Sequence, residues 1–423
     1  MKILYFDQHF GTPKGATGSR SYAFSKALIR AGHTVTMVCG DYQRAALDLP
    51  RDHEMRWSRG VVDGIDVISL PLPYSNQIGL ISRSMIFLRY ACRATRIALE
   101  SDCDLVFATS TPITIGLPAL AAQFFRNRPF VFEVRDLWPE LPRALGLKNP
   151  LALAAMDFLE TISYRHAIAC IGLSPGIVEG IRRKAEPDQP IAMIPNCCDL
   201  ELFVPRSRSE LDLPGVGPDD FVAGFMGAHG TANGLDILLE AAAILKSHGA
   251  DHIRIVMIGD GKQKPFLMEA AQRRQLDNCI FLPPIPREKL AVIVGSFDCG
   301  LQILKNIPAF YYGTSPNKFF DYISAGLPVI NNYPGWLADL IQEHGCGLVA
   351  EPDDPEDLAA KLMELAATPE RRAAMGHHAR QLAETEFSRF ELGRQFVRFL
   401  EDSFARHRNI SLEGAVGDSS DFS

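Results

Sequence analysis

The chain reads as an α/β protein with two doubly wound parallel-sheet domains. Short apolar strands alternate with helical segments along the whole chain, the pattern of parallel strands with helices on both faces. The second half repeats the layout of the first, and 423 residues are too many for one ordinary core. The composition agrees, with 47% hydrophobic and 22% charged residues.

In order, strand "KILYF" leads through the Gly-rich loop "GTPKGATGS" to helix "SYAFSKALIRAG". Strands "TVTMVC" and "IDVISLPL" follow, then a helix over 80–100, strand "DLVFATS", a further helix, "FVFEVRD", another helix and "AIACIGLS". The second half opens on strand "FVAGFMG" and helix "GLDILLEAAAILKSHG". It continues with "IRIVMIG", the turn "DGK", a helix to about 276, "CIFLPPI", helix "REKLAVIVGS" and strand "CGLQIL". Next comes "TSPNKFFDYISAGLPVI", read as a helix with Ser315 as N-cap, Pro316 at its first position and Gly326 past its end. The boundaries expected are 1–200 and 201–384 for the two domains, with "IPNCCDLELFVPRS" between them. A C-terminal helix spans 385–408, and 409–423 is a small, polar, disordered tail.

The net charge of −7 argues against nucleic-acid binding, but it is unevenly divided. Residues 1–200 carry 22 basic and 19 acidic residues, and residues 201–423 carry 21 and 31. The nine cysteines show no CxxC pair or metal-ligand spacing, which fits a reducing cytoplasm. Leu105 to Phe125 lacks charge but contains two prolines, so it splits into strand, turn and helix rather than crossing a bilayer. "DCD" at 102–104 matches a short metal-binding pattern, but it precedes a strand, at the edge away from ligands, and no metal site is expected.

Ligands of a doubly wound sheet bind at the carboxyl ends of its strands. Four loops qualify: "FDQHFGTPKGATGSR", "GFMGAHGTANGLD", "GDGK" and "TSPNK". Their glycines let backbone N–H groups approach an anion, and helix N-termini point the same way. Three of the four belong to the second domain, which favours a nucleotide-like anionic ligand there. Lys318 lies in the first turn of its helix, where a cation is disfavoured by about 0.3–1 kcal/mol. Either an anion docks against it or it is a solvated surface residue. In the first domain Arg135 and Asp136 end strand "FVFEVRD", with Glu133 on the same face as Arg135. They are either site residues or an internal ion pair.

The helix over 80–100 carries Arg89, Arg93 and Arg96, with Arg83 nearby, and Ile81, Met85 and Leu88 on another face. It is either a peripheral contact with an anionic membrane or a surface helix with a buried apolar face.

Three segments in this order resemble glycosyltransferase family 4, the retaining nucleotide-sugar transferases of the GT-B fold. They are "IPNCCDLELFVP", "VMIGDGKQKPFL" with "NCIFLPPIPREKL", and "SPNKFFDYISAGLPVI". "FEVRDLWPELP" resembles the fucosaminyl-transferase-like branch of bacterial surface polysaccharide assembly. The resemblance implies two Rossmann-like domains facing across a cleft, with the C-terminal helix crossing back to the first. It implies a cytoplasmic enzyme, at times on the inner membrane face, that moves an N-acetylated or deoxy amino sugar from a UDP-linked donor to a lipid-linked or saccharide acceptor. No cofactor is required. Gly227, His229, Gly230, Asn233, Gly259 and Gly261 would face the donor diphosphate and ribose. Gly15 and Gly18 would approach from the other domain, and Pro284 and Ile285 would read the base. Ser315, Asn317 and Lys318 would meet the leaving diphosphate, and Asp321 would hold the ribose. Arg135, Asp136 and Lys318 would be catalytic. Three positions depart from the family pattern: Gly313 stands where an acidic residue is usual, "GAHGTANG" lacks the usual Arg and Lys, and Arg135-Asp136 replaces "HD". They leave two alternatives, a GT-B-fold epimerase and a non-catalytic partner subunit.

Overall fold

A computed structural model describes residues 1–15, 19–41, 47, 49, 57–72, 74, 78–206 and 213–417. The chain divides into two α/β units. Unit 1 comprises Met1–Thr12, Ser19–Pro195 and Phe390–Ser423, and unit 2 comprises Pro13–Gly18 and Asn196–Arg389.

Unit 1 is built on an eight-stranded sheet. Its strands are β1 (Lys2–Phe6), β2 (Thr34–Gly40), β3 (Ser58–Val62), β4 (Ile65–Leu70), β5 (Leu105–Thr109), β6 (Phe130–Val134), β7 (Ala169–Gly172) and β8 (Ile191–Met193). They lie in the order β3-β4-β2-β1-β5-β6-β7-β8. All pairs are parallel except β3–β4. That hairpin departs from the all-parallel expectation. Its signal is Asp63-Gly64, whose φ values of 50° and 89° suit the tight turn that joins antiparallel strands. The central strands β1, β5 and β6 are buried along nearly their whole length, as strands covered on both faces must be. Phe24 of helix Arg20–Arg30 stacks on Phe396 at 4.4 Å, and Phe396 also meets Phe107 edge-on at 5.1 Å. These contacts seat the C-terminal helix, Arg389–Gly417, on this sheet from Phe390 onward. The helix runs past the expected end at 408.

Unit 2 holds β9 (Phe221–Met226), β10 (Ile253–Ile258), β11 (Cys279–Leu282), β12 (Cys299–Gln302), β13 (Val329–Asn331) and β14 (Gly347–Val349). The order is β11-β10-β9-β12-β13-β14, all parallel. Each sheet reverses its strand order beside its first strand, between β1 and β5 in unit 1 and between β9 and β12 in unit 2. Crevices for ligands open at such reversals.

All nine cysteines are free thiols. Leu105 to Phe125 forms β5 and most of helix Gly116–Arg126, and no helix among the described residues is long and apolar enough to cross a membrane. Asp102 and Asp104 sit at the amino edge of the unit 1 sheet, where Lys2 bonds both.

Candidate functional site

In unit 2 three strand ends and one helix start converge. The loop after β9 holds Gly227, His229, Gly230 and Asn233, and the loop after β10 holds Gly259 and Gly261. Backbone bonds couple the two loops: Gly227 N–H donates to Ile258 O at 2.9 Å, and His229 N–H donates to Asp260 O at 2.9 Å. Only glycine fits at two of these places. Gly259, at φ 142°, would put a Cβ 1.9 Å from the Gly227 carbonyl oxygen, and Gly261, at φ 159°, would put one 2.5 Å from the His229 carbonyl oxygen. A Cβ at Gly230 would meet nothing within 4 Å. Pro284 and Ile285 lie in the loop after β11, the first exposed and the second half-buried.

Helix Asn317–Ser324 aims its first turn at the same region, and Pro316 is its N-cap. Ser315 does not cap it as expected. Its hydroxyl accepts the Asn196 N–H at 3.0 Å, which ties the helix start to the residue where the main segment of unit 2 begins. Asn317 is the first helical residue. Lys318 follows with its ammonium 4.1 Å above the Phe225 ring and 3.2 Å from Asn233 Oδ1. No carboxylate pairs with it among the described residues. The residue keeps some exposed surface, yet burial pushes its pKa down to about 7. Asn233 is held in turn by its amide donating to Ala228 O at 2.7 Å. Lys318 is therefore a desolvated, poorly compensated cation at a helix N-terminus. An anion would relieve it.

His229 is fully buried. Neither ring nitrogen has a well-formed hydrogen bond among the described residues, although the Gly227 carbonyl lies near. Burial first, and then the Lys264 charge, hold its pKa down to about 4, so the ring is neutral. Lys264 donates to the carbonyls of Gly259 and Leu282 at 2.7 and 2.6 Å, pinning the β10 and β11 loops together. Lys305 is exposed beside the β9 loop, where its N–H donates to Ala232 O at 3.0 Å. It supplies a nearby cation that the sequence pattern did not point to.

Asp321 does not present an open carboxylate. It is buried, and both of its oxygens are bound by the guanidinium of buried Arg287, which also lies 4.8 Å above Phe203. Burial raises its pKa, and Arg287 opposes the rise. The expected ribose contact would require Asp321 to give up Arg287. Gly15 is grouped with unit 2, and its carbonyl accepts the Arg287 N–H at 2.9 Å. Gly18 lies outside the described residues.

In unit 1 the end of β6 is held at three points. Arg135 N–H donates to Ser110 Oγ at 2.9 Å, Thr111 Oγ1 donates to Asp136 at 2.9 Å, and Trp138 N–H donates to Glu160 at 2.7 Å. Glu160 also receives Tyr164 OH at 2.6 Å and Lys184 Nζ at 2.5 Å. Glu133 does not pair with Arg135. It binds Arg20 at 2.7 Å in a fully buried pair whose guanidinium also donates to the carbonyls of Ile194 and Pro195. The Arg135 guanidinium has no ion-pair partner among the described residues. Burial raises the pKa of Asp136, and the Thr111 bond partly offsets the rise. His9 stands nearby, 4.7 Å from the Tyr74 ring. Its pKa is held at about 4, by burial above all and also by the Arg135 and Arg83 charges.

The sequence singled out the glycines, Lys318, Arg135 and Asp136. It missed Phe225, Arg287, Thr111, Glu160 and His9, because their parts depend on contacts between distant segments. Of the arginines on helix Leu80–Glu100, Arg83 lies 5.7 Å from Tyr74, Arg89 and Arg93 are exposed, and Arg96 pairs with Glu100 at 2.8 Å. Among the described residues no group of three His, Cys, Asp or Glu could hold a metal ion.

Two family models match the chain, a glycosyl transferase 4-like domain over residues 15–197 and glycosyl transferases group 1 over residues 213–382. A D-inositol 3-phosphate glycosyltransferase of Saccharomonospora viridis is 28% identical over 247 residues, 55% of this chain and 54% of that protein. The amylovoran biosynthesis glycosyltransferase AmsK of Erwinia amylovora is 27% identical over 171 residues, 40% of this chain and 41% of that protein. The chain thus spans about half the length, or less, of these curated relatives. Among solved structures, sucrose-phosphate synthase from Thermosynechococcus elongatus superposes with a TM-score of 0.76 at 18% identity, covering 96% of this chain and 99% of that one. Anabaena Alr3699/HepE in complex with UDP and glucose gives 0.68 at 18% identity, covering 95% and 99%. At these identities the superpositions establish the GT-B fold.

Proposed function

Because this chain belongs to the family 4, group 1 glycosyltransferases of the GT-B fold, we propose that it transfers a sugar from a nucleotide diphosphate donor with retention of configuration. The observation that carries the reading is Lys318. It is a desolvated cation on a helix N-terminus, placed beside the loop after β9, where Gly230 leaves open space next to the backbone. As the sugar–phosphate bond breaks, negative charge grows on the departing diphosphate. Lys318 and the N–H groups of the first helical turn stabilise that charge, and they need no reorganisation because the fold has already placed them. Arg135 and Asp136 in unit 1 serve the acceptor, whose hydroxyl attacks from the face that the diphosphate leaves. A UDP donor is favoured by HepE, whose structure holds UDP and glucose. An amino-sugar donor and a lipid-linked or saccharide acceptor are supported by the resemblance of the "FEVRDLWPELP" segment, and surface polysaccharide assembly by the likeness to AmsK, an amylovoran biosynthesis glycosyltransferase. A cytoplasmic setting accords with nine free thiols.

A thermal-shift screen of UDP, GDP and ADP, followed by incubation with labelled UDP-sugars with and without acceptor extracts, tests the proposal. At a hundredfold excess over Kd, a bound nucleotide stabilises the fold by about 2.7 kcal/mol, roughly 5–10 °C for a unit of this size. Product that forms from donor alone identifies an epimerase. If no nucleotide diphosphate shifts the melting point, the chain is a non-catalytic subunit and the proposal is wrong.

A further inference from the structure

We propose that unit 2 leaves the ribose hydroxyls of its donor unread, so that 2′-deoxyribonucleoside diphosphates and their sugars bind as well as the ribonucleotides. This selectivity belongs to the donor site proposed above and rests on that reading. It turns on Asp321, the acid that the sequence pattern offered to the ribose.

Asp321 lies one helical turn after Lys318, so the two side chains leave the same face of helix Asn317–Ser324. Their fates differ. Lys318 keeps some exposed surface beside an amide oxygen and an aromatic face. Asp321 is 2% exposed, and Arg287 donates to both of its oxygens, Nη1 to Oδ2 at 2.9 Å and Nη2 to Oδ1. A bidentate guanidinium meets a carboxylate in the way a pair of neighbouring hydroxyls would. Each oxygen keeps a second lone pair, but at this burial no ligand hydroxyl reaches it without displacing the side chains around it.

Arg287 is itself fixed. Its guanidinium lies 4.8 Å above the ring of fully buried Phe203, and its backbone N–H donates to Gly15 O at 2.9 Å. Asp199 and Arg389 form a second ion pair at 2.5 Å, close enough for both charges to act on Asp321. Two cations and two carboxylates thus balance one another inside unit 2, and Asp321 needs nothing from a ligand. Asp260 in the β10 loop turns one oxygen back onto the Gly261 N–H of its own loop at 2.8 Å. A site built to hydrogen-bond a hydroxyl rejects the analogue that lacks it, by about 10⁴–10⁵-fold at the extreme, because its own polar groups are left unpaired. Asp321 loses no partner when a deoxyribose docks, since Arg287 fills it with or without a ligand. The 2′-hydroxyl then changes affinity by at most about threefold, the lower end of what one hydrogen bond contributes net of water.

Calorimetric titration of the full chain with UDP and with 2′-deoxy-UDP, which differ in that hydroxyl alone, tests the proposal. The two dissociation constants should agree within about threefold. A preference for UDP of about tenfold or more overturns the proposal. The wild-type protein suffices for this comparison, so misfolding of a variant does not enter. The double substitution Arg287→Met with Asp321→Leu then tests the part assigned to this pair. It removes the carboxylate together with its partner, and in a variant shown by urea titration to fold, UDP affinity should stay within about threefold of the wild type. A loss of about tenfold in the folded variant returns the ribose to Asp321 and also overturns the proposal. If UDP itself fails to bind, the donor reading falls and this one with it. If UDP binds and 2′-deoxy-UDP does not, the donor reading stands and this one alone falls.

Discussion

Lys318 allows a quantitative test, because the protein holds its pKa at about 7 against an ordinary 10.5. The cause is desolvation with only an aromatic face and an amide oxygen in return. A diphosphate docking beside the ammonium favours the charged form. A charge-assisted contact is worth about 1.5–3 kcal/mol. At 1.36 kcal/mol per pH unit, it raises the pKa by about 1–2 units, to about 8–9. The sign follows directly. The free protein loses this proton as pH rises through 7, whereas the complex keeps it for another one to two units. UDP affinity should therefore weaken up to tenfold per unit above about pH 7 and level off after a total loss of about 10–100-fold. Phosphate ionises near pH 6 and is constant over the window from 7.5 to 9.5. Calorimetry at pH 8 in two buffers of different ionisation enthalpy should show uptake of about half a proton or more. Lys318→Met should bind UDP with the wild type's high-pH affinity at every pH in the window. Lys318→Arg should lose the slope, since a guanidinium stays charged. A flat wild-type profile, or a slope that survives in Lys318→Met, would refute the reasoning.

Removing one partner of the Arg287–Asp321 pair strands a buried charge. Asp321→Asn should therefore cost about 3–5 kcal/mol in the unfolding transition of unit 2, read by urea titration. Replacing both residues by apolar ones of similar size should recover most of that loss. In unit 1, Thr111→Val removes the bond that offsets burial at Asp136. If ionised Asp136 serves the reaction, the acid limb of the kcat/KM profile already lies above the ordinary carboxylate range. It should move to higher pH in this variant, and an unmoved limb removes Asp136 from the chemistry.

Local rules made much of this protein legible. Alternating strands and helices announced two parallel sheets. Glycines after strands marked the strand edge proposed to meet the ligand, and one lysine at the positive end of a helix marked the proposed anion site. These features depend on spacing along a few residues, which a sequence displays directly. The Asp63-Gly64 hairpin obeys the same rule, since its turn needs positive φ at both residues.

Partnerships between distant segments were not readable. Glu133 could have paired with Arg135 two residues on, but the fold gives it Arg20, 113 residues away. Asp321 could have stood open, but Arg287, 34 residues earlier, closes it. Ile81, Met85 and Leu88 show the same limit from the other side. Their spacing fixed that they share a face, since a helix repeats every 3.6 residues. Which face a helix turns to the sheet depends on the packing of all its neighbours, and here Tyr90, Ala94 and Ile97 took the core. The sequence determined the elements, the strand edge proposed for the ligand and the lysine placed at it. Only the tertiary structure decided which charges were already satisfied, because burial and pairing are properties of the assembled interior.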